Sequence, residues 1–185
     1  MIKQFSNLSI DITKKISTND KKNGGIYFTP YNIINSAFKL VNNNDIENIL
    51  EPSCGSCEIV KYLDLNMNNI NIDCIESNNI IYNDIKDLKF NNLINIINTD
   101  FLLYNTNKKY DLIIGNPPYF TIKKNKIDKK YYKYFNGRPN IYIIFIIKCL
   151  ELLSSNGILC FILPNNFLNC LYYNKLREYI NINFT

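Results

Sequence analysis

Between Ile46 and Ile180 the apolar residues follow two alternating rhythms, and that alternation restricts the fold more than any single motif does. Short runs rich in Ile and Leu occupy 46–50, 70–75, 93–97, 110–114 and 158–163. Interspersed are longer stretches, 56–65, 79–88, 141–153 and 171–180, in which apolar residues return every third or fourth position. Continuous runs suit strands buried on both faces, and the wider spacing suits helices with an apolar stripe. The order predicts α/β units folding as a doubly wound, mainly parallel sheet flanked by helices. Ligands of such sheets bind beyond the carboxyl ends of the strands, where the strand order reverses. A chain of 185 residues holds one domain of this kind and no second full one.

The residues able to do chemistry fall just after these strands. Glu51-Pro52-Ser53-Cys54-Gly55-Ser56 follows the first, and its small residues allow a tight turn with backbone amides open to a ligand. The G-x-G-x-x-G fingerprint is absent, and Glu51 puts a carboxylate where a pyrophosphate would lie, so a cationic ligand part is favoured. Glu76 ends the second strand, where nucleotide-binding sheets place an acid for two ribose hydroxyls. Asp100-Phe101 follows the third, offering an acceptor for an adenine amino group beside a ring for its face. Asn116-Pro117-Pro118-Tyr119 follows the run 110–114. Its prolines lack N–H groups and cannot continue a strand, leaving the Asn116 and Pro117 carbonyls as a rigid acceptor rim beside a flat ring. Two acceptors and one stacking platform suit an exocyclic amino group on a heterocycle. The competing readings are a helix-entry turn with a solvated Glu, acids capping strand ends, and a Pro-Pro turn whose Tyr fills core.

The remaining segments carry less. Residues 1–24 are polar and Lys-rich, compatible with a short helix, and Gly24-Gly25 reads as a hinge. Thr29 is placed to cap, and Pro30 to begin, a helix bearing Ile33, Ile34, Ala37, Phe38 and Val41. Asn42-Asn43-Asn44 reads as a polar loop. The 120–139 loop interleaves Lys123, Lys124, Lys126, Lys129, Lys130, Lys133 and Arg138 with Tyr131, Tyr132, Tyr134 and Phe135. That pattern suits a nucleic-acid strand or, equally, a solvated loop enriched by the codon bias of an AT-rich genome. The same bias inflates Lys, so the net charge of +5 gives only mild support for a polyanionic partner. Six scattered cysteines and no His make a disulfide framework or a metal site unexpected, despite the spacing of Cys54 and Cys57. The start lacks the apolar core of a secretory signal, and Ile141 to Ile147 is too short to span a bilayer. A soluble, intracellular protein without a membrane segment is expected.

Taken in order, these motifs resemble the gamma-class adenine-N6 DNA methyltransferases of restriction-modification systems, which use S-adenosylmethionine. The resemblance runs through Gly25-Ile26-Tyr27-Phe28-Thr29-Pro30, the Ile49 to Ser56 loop, Ile75-Glu76-Ser77, Asn98 to Leu102 and Asn116 to Tyr119. It continues through Asn140-Ile141-Tyr142 with the helix behind it, and through Gly157 to Pro164. It implies a class I, Rossmann-like methyltransferase domain over 25–185, preceded by the polar segment 1–24 and lacking a target-recognition domain. It implies that Thr29, Glu51 and Ser53 contact the amino-acid end of the cofactor beside the Gly55 turn, that Glu76 holds its ribose, and that Asp100 and Phe101 hold its adenine. Asn116, Pro117 and Tyr119 would hold the target base. Family members close their sheet with a strand hairpin, supply a second aromatic against the base and continue into target recognition, whereas this sequence ends at Asn183-Phe184-Thr185. An incomplete hairpin is therefore expected, together with weak action on duplex DNA unless a partner subunit, a downstream segment or a single-stranded substrate is supplied. An RNA adenine methyltransferase, a protein-glutamine methyltransferase and a non-catalytic subunit are the alternatives. Tyr27-Phe28-Thr29-Pro30 and the basic loop speak against the second, and the intact Asn116, Tyr119, Glu76 and Asp100 against the third.

Overall fold

The Ile-rich runs pair side by side in the computed structural model, which describes residues 4–41 and 45–184. Strands β1 (Asn48–Glu51), β2 (Asn71–Glu76), β3 (Leu93–Asn98), β4 (Tyr110–Gly115) and β5 (Leu153–Phe161) form one sheet in the order β3-β2-β1-β4-β5. Every pairing is parallel, with Leu50 beside Asp73 on one side and Ile113 on the other. The order reverses between β1 and β4, so the loops leaving these two strands border the crevice in which such sheets bind ligands.

Alternation along the strands divides the core between the two faces. Ile49, Ile72, Cys74, Leu112 and Ile114 pack with α1 (Asn7–Lys15), α3 (Tyr31–Phe38), α4 (Glu58–Asn66) and α5 (Asn79–Ile85). Leu50, Ile75, Tyr110 and Ile113 pack with α6 (Ile141–Leu152) and with Leu176 of α8 (Asn174–Asn183). The N-terminal stretch forms two helices, α1 and α2 (Thr18–Gly24), and Ile12 and Ile16 are buried in the first of these cores.

Several boundaries differ from the spacing for local reasons. Gly55 and Cys57 both have left-handed backbone, φ 52° and 61°, so the loop after β1 turns twice and α4 starts only at Glu58. Pro30 is the cap of α3, not its first residue, and no side chain caps this helix. Helix α5 ends at Ile85, and α6 runs directly into β5, which therefore starts at Leu153 with an irregular register beside Tyr110. The closing helix is broken into α7 (Asn166–Asn169), a 3-10 turn over Leu171–Tyr173, and α8. Gly25 is no hinge. It has φ 60° at the end of α2, and a Cβ there would lie 2.5 Å from the Tyr119 backbone nitrogen, so only glycine lets this segment press against the Pro-Pro motif.

The basic loop is also more ordered than its composition suggests, with 3-10 segments over Lys124–Lys126 and Lys129–Tyr134. Helix α6 is buried continuously from Ile141 to Leu150, and an all-round apolar helix needs cover on the side away from the sheet. Tyr131, Tyr134 and Phe135 are buried in that same core. Three of the rings read as stacking platforms are thus packing residues, while the lysines and Arg138 stay exposed. Asn42-Asn43-Asn44 and Thr185 lie outside the described residues. No described helix is long and apolar enough to cross a membrane.

Candidate active site

The loops leaving β1 to β4 open on one edge of the sheet around a cavity of about 710 Å³, a volume within the usual range of cofactor sites. Ser53, Gly55, Glu76, Asp100, Phe101 and Asn116 line it. A smaller space of about 20 Å³ shares Ser53, Gly55 and Asn116 with it and adds Thr29 and Glu51. Of the residues singled out from the sequence, Pro117 and Tyr119 line neither space.

The carboxylates differ in what they already hold. Glu76 accepts the Gly55 N–H on Oε2 at 3.0 Å and the Asn78 N–H on Oε1 at 2.7 Å. Each oxygen keeps a further lone pair for a donor in the cavity. Burial pushes the Glu76 carboxyl above the usual range, and these backbone donors pull the other way. Glu51 is only 2% exposed, and its Oε2 has no hydrogen-bond partner among the described residues. Burial, then the nearby Glu76 and Glu58, push it well above the ordinary carboxylate range. A buried acid without a counter-ion is costly, and a small cationic group beside it would remove that cost. Glu58 is already engaged, accepting from the Ser6 amide, the Ser6 hydroxyl and the Ser9 hydroxyl of the N-terminal region.

A pH dependence follows, with its sign fixed by the direction of the shift. Glu51 has a folded-state pKa raised above its unfolded value, so the stability it contributes is complete below the unfolded glutamate pKa of about 4.3 and is lost as pH rises through the raised value. Thermal melts of the ligand-free protein should therefore show E51Q gaining on the wild type as pH rises across that window. A difference independent of pH would mean that Glu51 is not buried unpaired.

Asn116 is held at both ends of its amide. Nδ2 donates to Thr29 Oγ1 at 3.1 Å and to the Tyr27 carbonyl at 3.4 Å, while Oδ1 accepts from the Tyr119 hydroxyl. The Tyr27 carbonyl can only accept, which fixes the nitrogen on that side and the oxygen on the other. The Tyr119 hydroxyl also lies 2.6 Å from the Ile162 carbonyl, so one proton is shared between two acceptors. Burial pushes the phenol up to about 12, keeping it a donor at neutral pH. No hydrogen bond ends on the Pro117 carbonyl among the described residues. The Tyr119 ring stands edge-on to Tyr142 at 6.0 Å and 26° from parallel with Tyr27 at 6.3 Å between centroids. Thr29, read from sequence as a helix cap, instead orients the amide. Removing its hydroxyl in T29V is expected to lower kcat about tenfold, the worth of one hydrogen bond, with T29S near wild type. A change confined to cofactor affinity would assign Thr29 to the cofactor alone.

At the opposite end Phe101 is buried against Phe145 at 4.8 Å, and Asp100 sits at the exposed rim, accepting the Leu102 N–H at 2.8 Å. Lys148, only 8% exposed, lies 4.9 Å from the Phe101 ring and donates to the carbonyls of Phe101, Leu102 and Tyr104 at 2.6, 3.0 and 2.6 Å. It ties the loop after β3 to α6. Sequence reading missed Phe145, Lys148 and the Ile162 carbonyl. Ile141, Phe145 and Lys148 do recur at i, i+4 and i+7, but the apolar residues on every side of α6 hide that row. A backbone carbonyl leaves no signal.

A five-stranded parallel sheet with its cavity at the β1–β4 reversal has the fold of the class I S-adenosylmethionine-dependent methyltransferases. A Listeria monocytogenes protein described as one of that class superposes with a TM-score of 0.70 over 95% of this chain and 56% of its own, at 17% identity. The family model of the Eco57I restriction-modification methylases matches residues 7–184, and the chain belongs to that family. Type II methyltransferase M.CvrRI of Paramecium bursaria Chlorella virus XZ-6E is 34% identical over 97% of this chain and 46% of its own length. Modification methylase CviBIII of virus NC1A is 32% identical over 97% and 48%, and type II methyltransferase M.AccI of Acinetobacter calcoaceticus is 31% identical over 92% and 33%. The chain thus spans less than half the length of these relatives.

Proposed function

We propose that this chain is the catalytic domain of a DNA methyltransferase that moves a methyl group from S-adenosylmethionine to N6 of adenine. The observation that carries the proposal is the cavity joining Glu76 and Asp100 to Asn116, with the buried Glu51 beside it, whose Oε2 has no partner among the described residues. When bound, the cofactor supplies an electrophilic methyl on a sulfonium. Glu51 would pair with its ammonium, Glu76 would accept its ribose hydroxyls on the remaining lone pairs, and Asp100 with Phe101 would take its adenine. Ser53 Oγ, now donating to the Asn116 backbone carbonyl at 3.3 Å, completes that end, whereas the Cys54, Gly55 and Cys57 amides are not open to a ligand as the sequence suggested, since they donate to the Ile75 carbonyl, Glu76 and the Cys54 carbonyl.

An aromatic amino group is a poor nucleophile because its lone pair is delocalised into the ring. Accepting both of its hydrogens while they bend out of the ring plane would localise that lone pair towards the methyl; as the N–C bond forms the S–C bond breaks, S-adenosylhomocysteine leaves, and one of the two hydrogens is lost as a proton to water. Asn116 Oδ1 can take one hydrogen if the Tyr119 hydroxyl turns wholly to Ile162, and the Pro117 carbonyl can take the other. Each such acceptor facing growing positive charge would contribute about 1.5 to 3 kcal/mol. The exposed Lys and Arg side chains of the 120–139 segment would follow the phosphate backbone, without stacking by the buried Tyr131, Tyr134 and Phe135. Target recognition belongs to a downstream segment or a partner subunit in this reading.

Transfer of labelled methyl to duplex DNA, single-stranded DNA, RNA and a glutamine peptide separates the alternatives. Label recovered as N6-methyladenine from DNA, more from single strand than from duplex, is the expected result. Label on RNA or on the peptide instead would overturn it.

A further inference from the structure

Helix α6 buries a single charged side chain, Lys148, between Ile147 and Cys149. An ammonium has three N–H donors, and burying one is tolerable only when each donor is used. Nζ meets the carbonyls of Phe101, Leu102 and Tyr104 at 2.6, 3.0 and 2.6 Å, three acceptors for three donors. All three belong to the tight turn after β3, in which the Leu103 and Tyr104 N–H groups donate to the Asp100 carbonyl at 2.9 and 3.0 Å.

The turn is fastened unevenly. Its far end has a second anchor, where the Tyr104 and Tyr110 hydroxyls lie 3.1 Å apart and Tyr110 donates to the buried Asp73 at 2.8 Å. Its near end, with Asp100 and Phe101 in the cavity wall, is tied to α6 by Lys148, whose ammonium also lies 4.9 Å from the Phe101 ring. Phe145 and Ile141, one and two turns earlier on the same row of α6, line that cavity themselves. The turn and the helix thus wall the same end of the cavity, and Lys148, which does not line it, sets how they meet.

We infer that Lys148 is a positioning residue for cofactor recognition, holding the turn so that Asp100 meets the amino group of the adenine. This rests on the reading that Asp100 and Phe101 take that adenine. Removing the ammonium leaves three carbonyls without their donor and loosens the Asp100 end of the turn, while Glu51 and Glu76 on the neighbouring strands stay in place. The loss therefore falls on the purine and not on the amino-acid end.

Calorimetric affinities of S-adenosylhomocysteine and of S-inosylhomocysteine, which carries an oxygen in place of the purine amino group, measure this in wild type, K148M, K148Q and I147V, each with its unfolding temperature. Wild type should favour the adenosyl ligand by at least about tenfold, the worth of one hydrogen bond to a charged acceptor. K148M should bring that preference within about threefold, chiefly by weakening the adenosyl ligand. K148Q keeps two N–H donors on a shorter chain and should fall between, and it carries the comparison if K148M does not fold. I147V removes one buried methylene of α6 without touching the turn, so it should lower the unfolding temperature and keep the full preference. An unchanged preference in K148M and K148Q, or a preference lost equally in I147V, would reduce Lys148 to packing while leaving the adenine reading standing. Equal affinities of wild type for the two ligands would sink that reading and the inference together.

Discussion

N116A is expected to lower kcat for methyl transfer by about a hundred- to a thousandfold, the usual effect of removing one group aimed at developing charge. The reason is local. Oδ1 is the one side-chain carbonyl of the Asn116-Pro117-Pro118-Tyr119 segment, and its direction is set by Thr29 and the Tyr27 carbonyl on the nitrogen side. Because Asn116 also lines the rim of the cofactor cavity, cofactor affinity should shift by no more than about threefold, and single-turnover rates at saturating cofactor isolate the chemical step. N116D restores an acceptor of the same shape and should recover part of the rate. A variant that methylates normally would show that the amino group is held elsewhere.

E51Q should weaken S-adenosylmethionine binding by at least about a hundredfold, because taking away one partner of a buried ion pair costs about 3 to 5 kcal/mol. The same change should stabilise the ligand-free protein at neutral pH, where Glu51 carries its raised pKa and its Oε2 has no partner among the described residues. Tighter folding with weaker binding is the signature of a group kept for a ligand at a cost to stability. Calorimetry of cofactor binding beside thermal melts reads both. If E51Q bound the cofactor like wild type, the ammonium would have to sit elsewhere in the cavity.

Much of this was legible in the sequence because parallel strands buried on both faces write themselves as unbroken apolar runs, as Leu112 to Ile114 does. Glu51, Glu76, Asp100 and Asn116 could be read as a set because each follows a strand, and all strand ends of a parallel sheet share one edge. What failed were features set by tertiary contact. Tyr131, Tyr134 and Phe135 looked like nucleic-acid platforms because nothing local reveals that α6 needs covering. Thr29 looked like a helix cap because its partner, Asn116, lies far along the chain. The parallel approach of Tyr27 to Tyr119 depends on a glycine fitting against a backbone nitrogen, which composition cannot show.

The most direct measurement is a crystal structure of the chain with S-adenosylhomocysteine. The ligand should lie in the cavity between Phe101 and Asn116, with its ribose on Glu76, its ammonium on Glu51 and its sulfur turned towards the Asn116 amide. A ligand bound outside that cavity, or with its sulfur directed away from Asn116, would contradict the shared site on which the proposed chemistry depends.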